Sequence, residues 1–292
     1  MAASNLEYLG PYRLLNVVNT GRTCQLWQAY HDGTSKFVAV KALLGEFKKN
    51  REYLGYLKWE YQVAGKIVDD RIIRILEFGV DCGVPYLAME WFSAPNLKQW
   101  IRRGTEVTAP MAPKIILEAS EAVAHFNSFG WVHRDIKPDN FLVKEDGSLK
   151  LIDFAIACRA KGPLARLFSR KSKVQGTRSY MSPEQIRGDA VDARADLYSL
   201  ACTFFELLSG KPPFTGDTAK DLLSKHLNQS PPSLRAYNSN VTEDFSELLR
   251  RSMAKKPSDR PKSVEDFLQE VRKMRIYQRP AYPPAATRPS EK

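Results

Sequence analysis

The chain has 292 residues, 43% of them hydrophobic, which is enough for one large domain or two lobes with a substantial core. Its formal net charge of +11 suits several anionic partners. The sequence shows neither zinc-ligand spacing nor the aromatic and arginine motifs of nucleic-acid modules, so no nucleic-acid function is expected. The four scattered cysteines favour a reducing, cytoplasmic location, and no apolar run approaches the roughly eighteen residues of a membrane span.

The N-terminal part of the chain is predicted to be mostly β-strand. Residues 12–18 and 24–30 form two strands joined by a turn that contains Gly21. Backbone amides at such a turn can approach a phosphate, although one glycine between strands is also typical of a plain hairpin. Residues 72–80 and 84–90 predict a further hairpin.

One strand and one helix carry a predicted ion pair. The strand over residues 37–41 places Ala39 and Lys41 on the same face. The following segment, residues 51–68, has apolar residues at helical spacing, and Glu60 lies on or beside that inward stripe. A carboxylate that faces a core needs a cation, and Lys41 is the expected partner. The alternative is a lysine that extends into solvent from the strand end.

The pattern changes from strand to helix after a break at residues 93–96. We therefore predict three parts: an N-terminal lobe over residues 1–92, a helical lobe over residues 93–276, and a tail over residues 277–292. The tail is rich in proline, which disfavours regular helix and central strand, and it is predicted to be disordered.

The middle of the chain predicts a metal site. Asp146-Gly147 lies between two short apolar runs and predicts a hairpin with a two-residue turn. In that register the numbers of paired residues sum to 293, so Asn140 is expected to face Asp153 at a Cβ separation of about 5 Å. Amide and carboxylate oxygens suit Mg²⁺ together with phosphate oxygens. Asp135 is expected over the same place, although each of these residues alone is an ordinary turn residue.

Taken together, these residues resemble the catalytic and metal-binding loops of protein kinases. The resemblance rests on one set of residues at fixed spacing: His133, Arg134, Asp135, Lys137, Asn140, Asp153 and Phe154. Residues 37–41 resemble the family's Val-Ala-Ile-Lys strand. The likeness extends over about residues 12–272, and residues 176–188 look most like eukaryotic-like bacterial Ser/Thr kinases.

The resemblance implies an α+β, bilobal kinase fold with a small, mainly antiparallel β lobe holding one helix and a larger, mainly helical lobe. It also implies transfer of the γ-phosphoryl of Mg-ATP to Ser or Thr hydroxyls of protein substrates. The activation loop of the chain itself is an expected target, with self-association for autophosphorylation. Lys41, paired with Glu60, would hold the α- and β-phosphates.

The same resemblance gives roles to the loop residues. Asp135 would accept the hydroxyl proton, Lys137 would neutralise the moving phosphoryl group, and Asn140 with Asp153 would hold Mg²⁺. It places the following residues around the nucleotide: Gly21, Leu26, Ala39, Lys41, Met89, Glu90, Phe92, Leu142 and Asp153.

Three glycines of the family pattern are missing. Asn19 and Cys24 replace the outer glycines of the Gly-rich loop, of which Gly21 remains, and Ala155 replaces the glycine of Asp-Phe-Gly. Alanine visits positive φ less readily than glycine, so we expect Ala155 to stiffen the metal loop against a flipped state. Two alternatives stay open: a pseudokinase that only binds, favoured by these losses, and a small-molecule kinase of similar fold.

Residues 159–178 hold seven Lys or Arg and no acid. The segment is either a solvated loop or one that folds onto Arg134 when Ser169 or Ser172 is phosphorylated; Thr177 is a further candidate for modification. The resemblance also implies a buried ion pair between Glu184 and Arg260.

Overall fold

The structure, a computed structural model, describes residues 7–160 and 176–280. The chain divides into two compact units. The first unit comprises residues 7–93 with residues 152–157, and the second comprises the remaining described residues, which begin at Ala94. The first unit is a β-sheet with one α-helix and the second is mainly helical, so the predicted α+β class is confirmed.

The first unit is built on a six-stranded antiparallel sheet in the order β1-β2-β3-β4-β6-β5. Its strands are β1 (Tyr8–Leu9), β2 (Tyr12–Thr20), β3 (Cys24–His31), β4 (Lys36–Leu43), β5 (Ile75–Asp81) and β6 (Val84–Glu90). Strand β4 pairs with a neighbour on each side, and its Val38 and Val40 are buried. Aliphatic and aromatic side chains from β2, β3 and β6 complete this core.

Helix α1 (Arg51–Ala64) is the one α-helix among the described residues of the first unit. Asn50 caps its N-terminus by accepting hydrogen bonds from the amides of Glu52 and Tyr53. The helix ends four residues before the predicted residue 68, where Gly65 follows Ala64. Glycine disfavours helix, and Val68, at 74% exposure, gains no burial that would prolong it.

The second unit contains eight α-helices among its described residues. They are α2 (Leu97–Ile101), α3 (Thr105–Thr108), α4 (Ala112–Ser128), α5 (Pro183–Arg187), α6 (Ala193–Ser209), α7 (Ala219–Asn228), α8 (Glu243–Ser252) and α9 (Val264–Val271). Two small antiparallel sheets pair β7 (Trp131–Val132) with β10 (Cys158–Arg159), and β8 (Phe141–Val143) with β9 (Leu149–Leu151). In the described ranges no helix has the length and hydropathy to cross a bilayer.

Helix α6 is the central element of the second unit. Every residue from Ala195 to Leu208 is buried, as expected for a nearly all-apolar helix. Asp192 caps its N-terminus, and Gly210 ends it in the left-handed conformation.

The hairpin of β8 and β9 corrects the predicted register. Its paired residues, such as Phe141 with Leu151, have numbers that sum to 292, not 293. The Gly147 amide donates to the Lys144 carbonyl, and Gly147 has φ +81°, so the loop has three residues with a left-handed glycine at its end. The predicted two-residue turn was wrong. The expectation that residues 140 and 153 form a cross-strand pair depended on that turn and is no longer supported by the register.

Residues 277–279, which the sequence assigns to the tail, are hydrogen-bonded to the chain at Asn240 and Val241. Tyr277 forms a bridge with Val241, and the Gln278 amide donates to the Asn240 carbonyl over 2.7 Å. The rest of the predicted tail, residues 281–292, lies outside the described residues.

Helix α7 is anchored through a buried histidine. The Nδ1 atom of His226 lies 2.9 Å from the Tyr198 hydroxyl, and its ring packs edge-on against Phe214. Burial, together with the nearby charge of Lys255, lowers the pKa of His226 to about 4. The side chain is therefore neutral at physiological pH.

This burial predicts an acid-dependent loss of stability. The unfolded chain takes up a proton at His226 near pH 6.5 but the folded chain only near pH 4, so stability is lost as the pH falls between these values. Over this pH range, protonation of His226 in the unfolded chain is expected to lower the unfolding free energy by about 2–3 kcal/mol. Chemical denaturation of wild type and His226→Gln across this range measures it. Parallel pH profiles for the two proteins would contradict the prediction.

Candidate active site

The first unit holds a buried ion pair beside a half-exposed carboxylate. The Nζ atom of Lys41, on β4, lies 2.8 Å from Glu60 Oε2, on α1, and 3.4 Å from Asp153 Oδ1. The side chain of Glu60 is 2% exposed and that of Asp153 is 40% exposed. Burial alone would lower the pKa of Lys41, but the two carboxylates outweigh it and raise that pKa above its usual value. An ammonium group is therefore held beside Asp153.

Residues 152–157 are fixed to α1. The Phe154 amide donates to Glu60 Oε1 over 3.4 Å, and the Trp59 indole donates to the Ala157 carbonyl over 2.8 Å. The positive φ of this segment, +69°, falls on Asp153. Ala155 is not among the positive-φ residues, so the observed backbone does not require the glycine of the family pattern.

Four of the proposed nucleotide-contacting residues share one face of the sheet. Leu26 pairs with Lys41 across β3 and β4, and Ala39 pairs with Met89 across β4 and β6. Because Ala39 and Lys41 are two residues apart on one strand, all four side chains project to the same side. The face is thus lined by a small residue, two larger apolar residues and one ammonium.

The other proposed nucleotide contacts in the first unit lie at strand ends. The amide of Gly21 donates to the Cys24 carbonyl over 2.9 Å and closes the turn between β2 and β3. Glu90 ends β6, and its carboxylate accepts a hydrogen bond from the Arg74 amide, so this side chain is engaged with backbone. Phe92 follows β6.

In the second unit, a buried aspartate holds the loop after β7. Asp196, on α6, accepts hydrogen bonds from the amides of His133 and Arg134 over 2.8 and 2.9 Å and from the Asn127 side chain over 2.9 Å. Burial raises the pKa of Asp196, and these donors, with His133, act against the rise. Arg134 has φ +70°. The loop that carries Asp135 is therefore held to α6 by two of its backbone amides, and the Asn127 side chain binds the same carboxylate.

Asp135 lies at the centre of a cluster of polar side chains. Lys137 Nζ lies 2.5 Å from Asp135 Oδ2 and 2.7 Å from Thr177 Oγ1. The hydroxyl and the amide of Thr177 both donate to Asp135 Oδ1 over 2.9 Å. The Asn140 side chain donates to the Asp135 carbonyl over 2.8 Å. An alcohol is thus held between a carboxylate and an ammonium.

Gly176 lets Thr177 reach this cluster. Its φ is +118°, and a Cβ atom there would lie 2.9 Å from the Arg134 carbonyl oxygen. The Gln185 side chain donates to the same oxygen over 2.8 Å. Any larger residue at position 176 would meet backbone atoms.

A buried ion pair fixes the helix that follows. Arg260 Nη1 and Nη2 lie 2.7 and 2.9 Å from the two carboxylate oxygens of Glu184, on α5, and the side chains are 0% and 7% exposed. Arg260 also donates to the carbonyls of Ala254 and Arg194 over 2.8 Å each. This bidentate pair holds α5, and with it the end of the segment that begins at Gly176.

The residues present fit a magnesium ion by their chemistry. The amide nitrogen of Asn140 faces Asp135, so its oxygen, an atom of the kind that can bind Mg²⁺, points to the opposite side of the amide group. Asp153, in the first unit, has a half-exposed carboxylate. No group of three or more His, Cys, Asp or Glu that could hold a metal occurs in the described part of the chain. Carboxylate and amide oxygens are both ligands that Mg²⁺ takes together with water and phosphate oxygens.

Three supporting residues were not anticipated from the sequence. Asn127 contacts Asp196, Gln185 contacts the Arg134 carbonyl, and Trp59 contacts the Ala157 carbonyl. Each contact joins residues far apart in the chain, and no local sequence pattern predicts it. Leu142, placed near the nucleotide by resemblance, lies on β8 and forms a backbone bridge with Asn96.

Comparison with protein-family models matches residues 12–281 to the protein kinase domain. The chain belongs to the protein kinase family. It is 33% identical over 258 residues to the serine/threonine-protein kinase PknH of Mycobacterium bovis, 29% over 263 residues to PrkC of Bacillus subtilis, and 28% over 280 residues to PknB of Mycobacterium tuberculosis. The predicted membership and the likeness to bacterial Ser/Thr kinases are confirmed. These matches cover 88%, 90% and 94% of this kinase chain but 43%, 40% and 45% of the relatives.

Most of the predicted activation segment lies outside the described residues. Ser169 and Ser172 fall in the range 161–175, so the structure does not address their modification. At the N-terminal end of this segment, the Arg159 guanidinium lies 3.9 Å from the centre of the Trp131 ring and donates to the Phe129 carbonyl. Arg134 Nε is buried and has no hydrogen-bond partner among the described atoms of the kinase.

Alanine at position 155 is expected to bias this kinase against the flipped orientation of Asp153 and Phe154. In Ala155→Gly the added backbone freedom should favour a flipped orientation of Asp153 and Phe154. We expect inhibitors that require that orientation to bind about three- to fivefold more tightly, corresponding to roughly 0.5–1 kcal/mol. Calorimetric titration measures the change, with an inhibitor that is indifferent to this orientation as the control. An unchanged affinity ratio would rule out the bias.

Proposed function

We propose that this kinase transfers the γ-phosphoryl group of Mg-ATP to Ser or Thr hydroxyls of protein substrates. The observation that carries the proposal is the cluster in which Asp135 and Lys137 hold the Thr177 hydroxyl. A site that binds one β-hydroxyl between a carboxylate and an ammonium is suited to bind another. The names of the relatives, all serine/threonine-protein kinases, support the same reaction.

Each residue has a role in this proposal. Asp135 accepts the proton of the acceptor hydroxyl and orients its oxygen, and Lys137 stabilises the charge on the moving phosphoryl group. Asn140 and Asp153 hold Mg²⁺, which supplies charge neutralisation on the phosphates when it is bound. Lys41, fixed by Glu60, binds phosphate oxygens. Catalysis of this kind depends mainly on positioning and charge.

The nucleotide site of the proposal uses the shared face of the first unit. Leu26, Ala39, Lys41 and Met89 lie on that face, and the other proposed nucleotide contacts are Gly21, Glu90, Phe92, Asp153 and Leu142. A small residue such as Ala39 leaves room for a purine. With Asn19 and Cys24 in place of two glycines, fewer backbone amides can approach the phosphates closely, so Lys41 is expected to carry more of the phosphate binding.

The second candidate function is a binding module without transfer. The lost glycines favour it, but the charged residues are present, and Lys41 with Glu60 and Asp135 with Lys137 are in contact. The test is incubation with Mg-ATP labelled at the γ-phosphate, with and without excess chelator. If the chain is an enzyme, protein should acquire acid-stable label, and excess chelator should abolish this labelling. Nucleotide binding without any label would favour the binding module.

The proposal extends to autophosphorylation and location. Protein substrates are expected to include a second copy of the chain, with Ser169, Ser172 and Thr177 as candidate sites. Mass spectrometry of the active protein tests this, and the absence of phosphate at all three would contradict it. The cytoplasmic location stays a prediction.

A further inference from the structure

A groove of about 490 Å³ lies along one face of α7 in the second unit. Its lining residues are Arg178, Ala219, Lys220, Leu223, Ser224 and Leu227. None of the functions described so far uses it.

The groove begins next to the acceptor cluster. Thr177 Oγ1 lies 2.9 Å from Asp135 Oδ1, and Arg178 is the next residue in the chain. Consecutive Cα atoms are about 3.8 Å apart. A peptide with its acceptor hydroxyl at Asp135 therefore has neighbouring residues within reach of the groove.

The lining of the groove combines an apolar stripe with two cationic side chains. Ala219, Leu223 and Leu227 follow one another at four-residue intervals and so form a stripe on one helix face. Arg178 and Lys220 are both exposed, and no acidic residue is part of the lining. The acid nearest in sequence on this helix, Asp221, is paired with Lys225 at 3.0 Å.

The groove is held in place by the helix that forms it. Thr218 caps α7 by accepting a hydrogen bond from the Asp221 amide. The Lys225 side chain donates to the Thr215 carbonyl over 2.8 Å. Buried His226, hydrogen-bonded to Tyr198, fixes α7 to α6. The surface is thus formed before any partner binds, which lowers the entropic cost of binding.

We propose that this groove selects substrates that carry an acidic residue and an aliphatic residue beside the Ser or Thr acceptor, with Arg178 and Lys220 as specificity-determining residues. The inference rests on the proposed phosphoryl transfer and specifies its substrate class. Opposite charges across such a site favour one partner, and like charges exclude others. The basic segment of residues 159–178 does not provide the required acids, so the expected occupant of the groove is a separate protein substrate. Autophosphorylation within that segment would proceed without this selection.

The test uses two peptides that share a threonine acceptor and an adjacent leucine. One carries glutamate beside the acceptor and the other carries lysine, with the charges placed on either side in turn. For wild type, kcat/KM should be about tenfold higher for the acidic peptide, mainly through a lower KM. The double variant Arg178→Glu with Lys220→Glu should reverse the preference. Lys262→Glu, which reverses an exposed lysine outside the groove, should keep it.

A binding measurement separates this proposal from the proposed function. Fluorescence anisotropy of both labelled peptides on Asp135→Asn protein, with and without the double reversal, measures selection without transfer. If selection reverses but wild type transfers no phosphoryl group, the groove is supported and the enzyme proposal fails. Transfer to both peptides with equal kcat/KM and equal affinity would overturn the groove alone. A preference for lysine, or binding of neither peptide, would also overturn it.

Discussion

Asp135→Asn is expected to lower kcat for phosphoryl transfer by about 10²- to 10⁴-fold while nucleotide affinity is kept. The amide that replaces the carboxylate cannot accept the hydroxyl proton, and it removes the negative partner of Lys137, which lies 2.5 Å away. Because the change preserves shape, the loop held by Asp196 should keep its position. Steady-state kinetics with a threonine peptide, together with nucleotide titration, measures both quantities.

Asp139→Asn is the matched control, because Asp139 lies in the same loop but is not part of the cluster around Asp135. We expect its kcat to stay within about threefold of wild type. If Asp135→Asn retained a similar share of activity, the proton-accepting and orienting role of Asp135 would be wrong. A loss of nucleotide affinity in Asp135→Asn would indicate a disturbed fold instead.

Glu184→Gln is expected to destabilise the kinase by about 3–5 kcal/mol. The substitution leaves the Arg260 guanidinium buried, at 0% side-chain exposure, without its anionic partner. Chemical denaturation at neutral pH measures the loss. Because the pair fixes α5 and the end of the segment from Gly176, transfer to peptide should also fall in the variant that remains folded.

The matched control for this prediction is Glu247→Gln. Glu247 pairs with Arg250 over 2.6 Å, but both side chains are more than half exposed. Exposed pairs contribute little, so the change should stay below about 1 kcal/mol. Equal losses in the two variants would show that burial does not determine the contribution of the Glu184–Arg260 pair.

Local patterns predicted the parts of the site that depend on strand and helix periodicity. Lys41 lies on a strand and Glu60 lies near the inward stripe of a helix, so charge and burial alone were enough to pair them. The structure has their atoms 2.8 Å apart. The same periodicity separated a strand-rich N-terminal part from a helical part, whereas the α+β class was implied by the family resemblance.

The hairpin shows where local patterns fail. Asp-Gly fits a two-residue turn, but it also fits a three-residue loop whose last residue is a left-handed glycine. Asp146 accepts hydrogen bonds from the Ser148 amide and hydroxyl, and these contacts fit the longer loop. The one-residue difference changes every pair in the ladder. The sequence is compatible with both the two-residue turn and the three-residue loop. Only the hydrogen bonds in the structure distinguish the two.

Long-range contacts around Asp135 were beyond sequence reasoning on physical grounds. Asn127 and Asp196 are 69 residues apart, and Gln185 is 51 residues from Arg134. A polar residue on a helix carries no local sign of its distant partner. No pattern in the sequence pointed to Asn127 or Gln185.

The central claim is that the cluster of Asp135, Lys137 and Thr177 accepts Ser and Thr hydroxyls for phosphorylation. The most direct measurement is phosphoamino-acid analysis after the purified chain has reacted with Mg-ATP labelled at the γ-phosphate. The account predicts label on phosphoserine or phosphothreonine, and at least about a hundredfold less label for Asp135→Asn. Equal label in the two proteins, or label on tyrosine alone, would contradict it.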